Sequence, residues 1–255
     1  MGQAELPSDP RAELSHALED VEGWLFLNEA FALYSAARNA AEADSNAVIV
    51  EIGSWKGRST IALAMGLRDG GGSGRVSAID PHTGEPDRLA PGPPVTVAEF
   101  NNNIERAGIE HKVELMLITS HLARPRFQQA SVDVLFVDGS HQYDDVLQDI
   151  QEWQSSLKPG GVVAFNDPSA PGVYRALRER VLTRGSYREP HLIENTVLFH
   201  FRPTEKWRLR DEIELRRGMA GLRLRFDAMR FRRGMPMPLV RLGRRVIYAV
   251  IGGAL

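Results

Sequence analysis

Residues 47–60 read AVIVEIGSWKGRST. The run Ala47–Ile52 is apolar and mostly β-branched, with Glu51 its one polar residue, and it stops at Gly53. Apolar residues at consecutive positions, rather than alternate ones, mark a strand buried on both faces. Gly53 lets the backbone pass close to a ligand, and Gly57, four residues on, allows a tight entry into a helix reaching about Leu67. The first turn of that helix offers free N–H groups, with the hydroxyls of Ser59 and Thr60, to an anion. The pattern is not G-x-G-x-x-G, because Ser54-Trp55-Lys56 intervenes, and it lacks the Gly-Lys-Ser/Thr of a phosphate loop. A small anion such as an amino-acid carboxylate suits it better than a pyrophosphate. The plainer reading is a strand–turn–helix that needs glycine for geometry alone.

Outward from this stretch the pattern repeats. Strands are expected at 76–80 (VSAID), 113–119 (VELMLIT), 132–138 (VDVLFVD), 161–167 (GVVAFND) and 195–201 (NTVLFHF). Helical spacing appears over 12–42, where Gly23 splits two helices, over 97–108, over 142–157 and in GVYRALRERVLT. GGGSG (70–74) and KPGG (158–161) read as turns. The Pro/Gly-rich stretch 81–97 reads as a long loop, either a lid or substrate-binding element or simply mobile chain. Strands alternating with helices imply an α/β fold: a Rossmann-like, doubly wound sheet of mostly parallel strands. In such a sheet ligands sit at the carboxyl ends of the strands. Residues 1–45 form a helical lead-in, 46–203 the ligand-binding domain and 204–255 a basic extension.

Composition narrows the class. The chain has 255 residues and no cysteine, which excludes disulfides, zinc–thiolate sites and thiol nucleophiles. No stretch of 18 apolar residues exists, and the N-terminus shows no basic head followed by an apolar run, so a cytoplasmic protein is expected. The net charge of −2 hides an asymmetry: residues 1–200 hold 17 basic and 28 acidic side chains, residues 201–255 hold 14 and 5. LVRLGRRVIYAVIGG (239–253) places Leu239, Leu242, Val246 and Val250 opposite Arg241, Arg244 and Arg245. Such a mainly helical basic extension can lie on an anionic membrane, bind a partner, or pack on the acidic domain or across an oligomer. Nucleic acid is not expected, because aromatics are not interleaved as stacking platforms.

Two strand ends carry unusual acids. Asp80 ends the second strand, 27 residues after Gly53, where an acid typically accepts both hydroxyls of a ribose. Asp138 ends the fourth, and His141 follows three residues later. Asp138 faces the same crevice as Asn166 and Asp167 on the next strand, and three oxygen ligands there suit Mg²⁺. Such an ion lowers the pKa of a bound hydroxyl, and a neutral imidazole at His141 is a suitable general base for the proton. Against this, Asp138 can cap the helix that begins near Tyr143, and Asp144, Asp145 and Asp149 read as a solvated helix face.

The ordered motifs VEIGSWKGRST, AIDPHTG and FVDGSHQYDDVLQDIQEWQSSLKPGGVVAFND, with the lead-in GWLFLNEAFALY, resemble the class I S-adenosylmethionine-dependent methyltransferases. Within that class they are similar to the macrocin-type sugar O-methyltransferases and the cephalosporin-hydroxylase-like proteins, over about Val21 to Phe201. The resemblance implies an O-methyltransferase whose acceptor is a small molecule, sugar or oligosaccharide, and a homo-oligomer. It implies Glu51, Gly53, Ser54 and Ser59 around the methionyl end of the cofactor, Asp80 on the ribose and Ser120 near the adenine. It further implies a base at position 141, which is lysine in catechol-type relatives and histidine in some sugar enzymes. Metal-dependent relatives carry an acidic pair where this chain has Asn166-Asp167, so a metal-free route with His141 oriented by Asp167 stands beside the Mg²⁺ route.

Overall fold

Seven strands form one sheet: β1 (Ile49–Ile52), β2 (Val76–Ile79), β3 (Val113–Met116), β4 (Val132–Val137), β5 (Leu157–Asn166), β6 (Tyr187–Ile193) and β7 (Thr196–Phe201). Their order is β3-β2-β1-β4-β5-β7-β6. β1 to β5 pair in parallel, whereas β7 runs antiparallel to both β5 and β6. This is the mostly parallel, doubly wound sheet expected from the sequence. The computed structural model describes residues 9–83, 96–182, 185–203 and 221. The basic extension expected from residue 204, apart from Gly221, and residues 84–95 of the long loop lie outside the described residues.

The consecutive apolar runs fold as read because successive side chains enter two different cores. Val134 and Phe136 of β4 join Leu14, Leu33 and Ile61 on one side of the sheet. Leu135 and Val137 join Ile150, Trp153 and Leu177 on the other. The first side is covered by α1 (Pro10–Ala17), α2 (Leu27–Ala43), α3 (Arg58–Asp69) and α4 (Val97–Arg106). The second is covered by α5 (Ser120–Ala123), α6 (Tyr143–Trp153) and α7 (Pro171–Arg180). The lead-in helices therefore share a core with the sheet. Among the described residues no helix is long and apolar enough to cross a membrane.

Several boundaries differ from the sequence reading. Residues 18–26 are not helical, so Gly23 lies inside a nine-residue connection between α1 and α2. Arg58 holds that connection: its Nε donates to the Leu25 carbonyl at 2.8 Å and its Nη1 to the carbonyls of Leu18 and Val21 at 2.7 and 2.6 Å. β3 ends at Met116, short of the expected Thr119, because the Ile118 N–H turns back to the Met116 carbonyl. The KPGG turn falls within the bounds of β5, at an irregularity where the β4 pairing jumps from Val132↔Leu157 to Val134↔Val162. β6 was not foreseen. It makes a tight hairpin with β7, in which Glu194 takes a positive φ of 51°.

Candidate active site

The strand order reverses at β1, whose neighbours are β2 and β4, and the crevice of such a fold opens there. Gly53 (φ 85°) leaves β1 so close to β4 that a Cβ on it would stand 2.2 Å from the carbonyl oxygen of Asp138. Gly53 was read from sequence as letting the backbone pass close to a ligand; the close approach the fold makes there is to the Asp138 backbone. Trp55, His82 and Asp167, which follow β1, β2 and β5, all have positive φ although none is glycine. Backbone strain of this kind collects where geometry serves a site rather than stability.

Asp80 organises the turn after β1. Its Oδ2 accepts the N–H groups of Ser54 and Trp55 at 2.9 and 2.8 Å, and its Oδ1 accepts that of His82 at 2.6 Å. Oδ2 is thereby filled by its two N–H donors, whereas Oδ1 keeps a second lone pair for an incoming hydroxyl. His82 is buried, with Nδ1 2.7 Å from the Thr96 hydroxyl, and burial lowers its pKa while Asp80 partly offsets this.

Glu51 is fully buried. Its Oε2 accepts from the Thr60 hydroxyl at 2.5 Å, while its Oε1 has no partner. The Ser54 hydroxyl, also buried, is likewise unpartnered. Burial pushes Glu51 up to about 7, against the pull of the nearby Ser59 hydroxyl and the Thr60 hydrogen bond and with help from the Asp80 charge. Folded protein thus holds this proton to about pH 7, whereas unfolded chain releases it near 4.5. The contribution to stability falls as pH rises through that window, by up to ~3 kcal/mol, and stays lost above it. Thermal unfolding of ligand-free protein and of Glu51→Gln across pH 4.5–7 checks this: the difference in melting temperature should grow with pH in favour of the glutamine. Parallel curves would refute it.

Asp138 is held by Asn166, whose Nδ2 donates to Asp138 Oδ1 at 3.0 Å. Burial raises Asp138 well above the usual carboxylate range; the Asn166 amide resists, and Asp167, Glu51 and Glu29 push further. The helix-cap alternative fails, because Gln142 occupies the N-cap of α6 and the Asp138 carboxylate points to Asn166. His141 presents Nε2 to Asp167 Oδ2 at 3.5 Å, and that nitrogen is buried. Gly172, at the start of α7, packs against this turn: a Cβ there would lie 2.2 Å from the His141 carbonyl oxygen.

The Mg²⁺ site expected at Asp138, Asn166 and Asp167 does not fit as these residues stand. Asn166 turns its nitrogen to Asp138, and its Oδ1 accepts from the Thr196 hydroxyl at 3.0 Å. No group of three or more His, Asp or Glu among the described residues can hold an ion. The physical reason is the amide itself: it donates to the acid where a carboxylate would have shared a cation.

Ser120 stands at the start of α5, and its hydroxyl donates to Asp149 Oδ1 at 2.5 Å. Asp149 corrects the sequence reading. It is buried, not part of a solvated face, and burial pushes it up to about 6, whereas Asp144 and Asp145 are exposed. The signal was present, since Val146, Asp149, Ile150 and Trp153 share one helical stripe. Glu29 was missed altogether. It is buried, and its Oε1 accepts from the Asn195 N–H at 2.7 Å and lies 3.0 Å from the Thr196 hydroxyl oxygen, whose one proton goes to Asn166, while Oε2 takes the Phe26 N–H at 2.8 Å. Glu29, Thr196, Asn166 and Asp138 thus form one hydrogen-bonded chain.

Residues 50–168 match the family described as Methyltransferase domain. That span is less than half of the chain, and it lies on a sheet with the Rossmann-like fold of class I methyltransferases. Among particular relatives, the uncharacterized protein y4gI of Sinorhizobium fredii is 27% identical over 154 residues, 56% of this chain. This chain spans only 16% of that protein's length. Among solved structures, cofactor-bound Rv0187 from MTB is 19% identical with a TM-score of 0.53, over 78% of this chain and 93% of that one. The O-methyltransferase TomG from Streptomyces achromogenes, in complex with SAM, is 18% identical with a TM-score of 0.52, over 77% and 91%. A protein from Corynebacterium glutamicum is 14% identical with a TM-score of 0.58, over 80% and 95%. At these identities the likeness establishes the fold.

Proposed function

We propose that the protein transfers a methyl group from S-adenosylmethionine to a hydroxyl of a sugar or glycoside, by a metal-free route with His141 as general base. The observation that carries the donor assignment is the unpartnered, buried Oε1 of Glu51 at a crevice where Asp80, Asp138 and Asp167 also end their strands. A donor with two cationic centres, one ammonium and one sulfonium, suits such a collection of carboxylates. The ammonium would take Glu51, the ribose Asp80, and Gly53 would let the donor lie against the backbone. TomG, a structural neighbour, was solved with SAM, which supports the same assignment. The glycoside acceptor rests on the similarity to the macrocin branch and on histidine at position 141.

The donor supplies the electrophilic methyl carbon. This chain supplies the proton acceptor and the orientation. His141 Nε2 is buried and faces Asp167, so the Nε2–H tautomer leaves Nδ1 to take the acceptor's hydroxyl proton. The oxygen forms its bond to the methyl carbon as the carbon–sulfur bond breaks, and Asp167 steadies the imidazolium that results.

Methyl-labelled S-adenosylmethionine with methyl glycosides and partly methylated oligosaccharides, run with and without EDTA, tests the reading. Label is expected on a glycoside hydroxyl, at a rate unchanged within about twofold by chelation. Loss of activity on chelation, restored by Mg²⁺, would overturn the metal-free route. Label only on a catechol or a lipid would overturn the acceptor class.

A further inference from the structure

We propose that Trp24, stacked on Trp55, is an acceptor platform that takes one face of a pyranose ring; this rests on the glycoside reading and names the element that would recognise it. The two indole rings lie 4.5 Å apart at 27°, and Trp24 is 70% exposed. Phe26, two residues on, is 48% exposed. An exposed tryptophan is ordinarily a mobile side chain on a loose loop. This one is built in. The carbonyls on either side of it, Val21 and Leu25, are both held by the Arg58 guanidinium at the start of α3. Its stacking partner Trp55 is anchored by its own N–H to Asp80.

The segment also has a telling path. At Trp24 it meets the turn that follows β1, where the donor is placed. Five residues later, at Glu29, it joins the chain of hydrogen bonds through Thr196 and Asn166 to Asp138. The segment is thus tied at one end to the donor turn and, through those hydrogen bonds, at the other to the strand end that precedes the proposed base. At the edge of the aromatic face stand an ammonium and a carboxylate: Lys56 Nζ is 2.7 Å from Glu22 Oε2 and 4.9 Å from the Trp55 ring centre.

An apolar face with charged donors and acceptors at its rim matches a pyranose, whose axial C–H groups present one apolar side while its hydroxyls project from the edge. A lipid surface needs a broader apolar field. Among the described residues the other large exposed hydrophobics are Leu117 and Leu122, in the segment after β3.

Saturation-transfer NMR on the full chain, with S-adenosylhomocysteine bound, tests this using methyl α-D-glucopyranoside, methyl α-D-mannopyranoside and 1-hexanol as probes. Ring protons of at least one glycoside should be saturated and hexanol should not. Trp24→Ala should reduce that transfer by about fivefold, the worth of one aromatic face, and Trp24→Phe should keep most of it. Calorimetry with S-adenosylhomocysteine should give the same affinity for all three proteins, which also shows that the variants fold. If the homologue binds but no glycoside responds, or the response survives in Trp24→Ala, the platform is overturned and the donor reading stands. If the homologue does not bind the unaltered protein, the donor reading falls, and the platform with it. Equal transfer to hexanol, or a dimer that sediments as a monomer only in Trp24→Ala, would likewise overturn the proposal, making Trp24 an unselective patch or a contact between copies.

Discussion

His141→Ala is expected to bind S-adenosylmethionine as tightly as the unaltered protein and to turn over ~10²- to 10⁴-fold more slowly, the usual worth of a positioned general base. The separation follows from where the residues stand. The donor contacts assigned here come from β1, β2 and their turns, through Glu51, Gly53 and Asp80. His141 sits on the turn between β4 and α6, and its ring meets Asp167 after β5. Removing the imidazole leaves the Glu51 oxygen and the Asp80 carboxylate untouched. The loss should appear in kcat, because the base acts on a proton that moves only during the reaction. Asp167→Asn should give a smaller loss, since it removes the orienting charge but not the acceptor nitrogen. Calorimetry beside single-turnover rates makes the comparison; full turnover in His141→Ala would eliminate the base.

Gly53→Ala is expected to be the more damaging change to the molecule as a whole. The new Cβ would meet Asp138 O at 2.2 Å, Asp138 C at 2.5 Å and Gly139 Cα at 2.7 Å. All three are backbone atoms, so no side-chain rotation relieves the overlap. The φ of 85° adds strain of its own for any residue with a Cβ. β1 and β4 would have to separate at the crevice, at a cost of ~3–5 kcal/mol, in the range of severe core changes. For a domain of this size that corresponds to a fall of roughly 10 °C or more in melting temperature. Donor binding should be lost together with it, because the same spreading moves the Glu51 and Asp80 ends apart. A differential scan and a calorimetric titration measure both. A variant that melts within a degree or two of the parent would show that the turn has room to give.

The strands that build the crevice were legible because each is a short apolar run buried on both faces. Gly53, Asp80 and Asp138 were legible because they interrupt such runs at their carboxyl ends. β6 was not: YREPHLI contains Pro190 and charged residues and lies at the sheet edge, where burial on one side is enough. The antiparallel turn into β7 was hidden for a related reason, since Glu194-Asn195 is not a glycine-bearing hairpin signal. Asp149 was misjudged because its neighbours Asp144 and Asp145 are exposed and gave the helix an acidic look, although its own position lies on the buried stripe. Glu29 was out of reach. Its partners Asn195 and Thr196 lie 166 and 167 residues away, and no local pattern announces a contact at that distance. The amide at Asn166 was read as the weak point of a metal site, but which end of it would face Asp138 depends on Thr196 beyond it.

The hydrogen bonds from Glu29 through Thr196 to Asn166 bear on heredity as much as on catalysis. The family match covers residues 50–168, yet Glu29 precedes that span and Thr196 follows it. A gene segment cut to those limits would encode the donor turn and the proposed base but would leave the Asn166 amide oxygen without its partner. The smallest piece that recombination could move with this hydrogen-bonded chain intact therefore reaches from α2 through β7. Natural fusions that carry this site should break outside those limits.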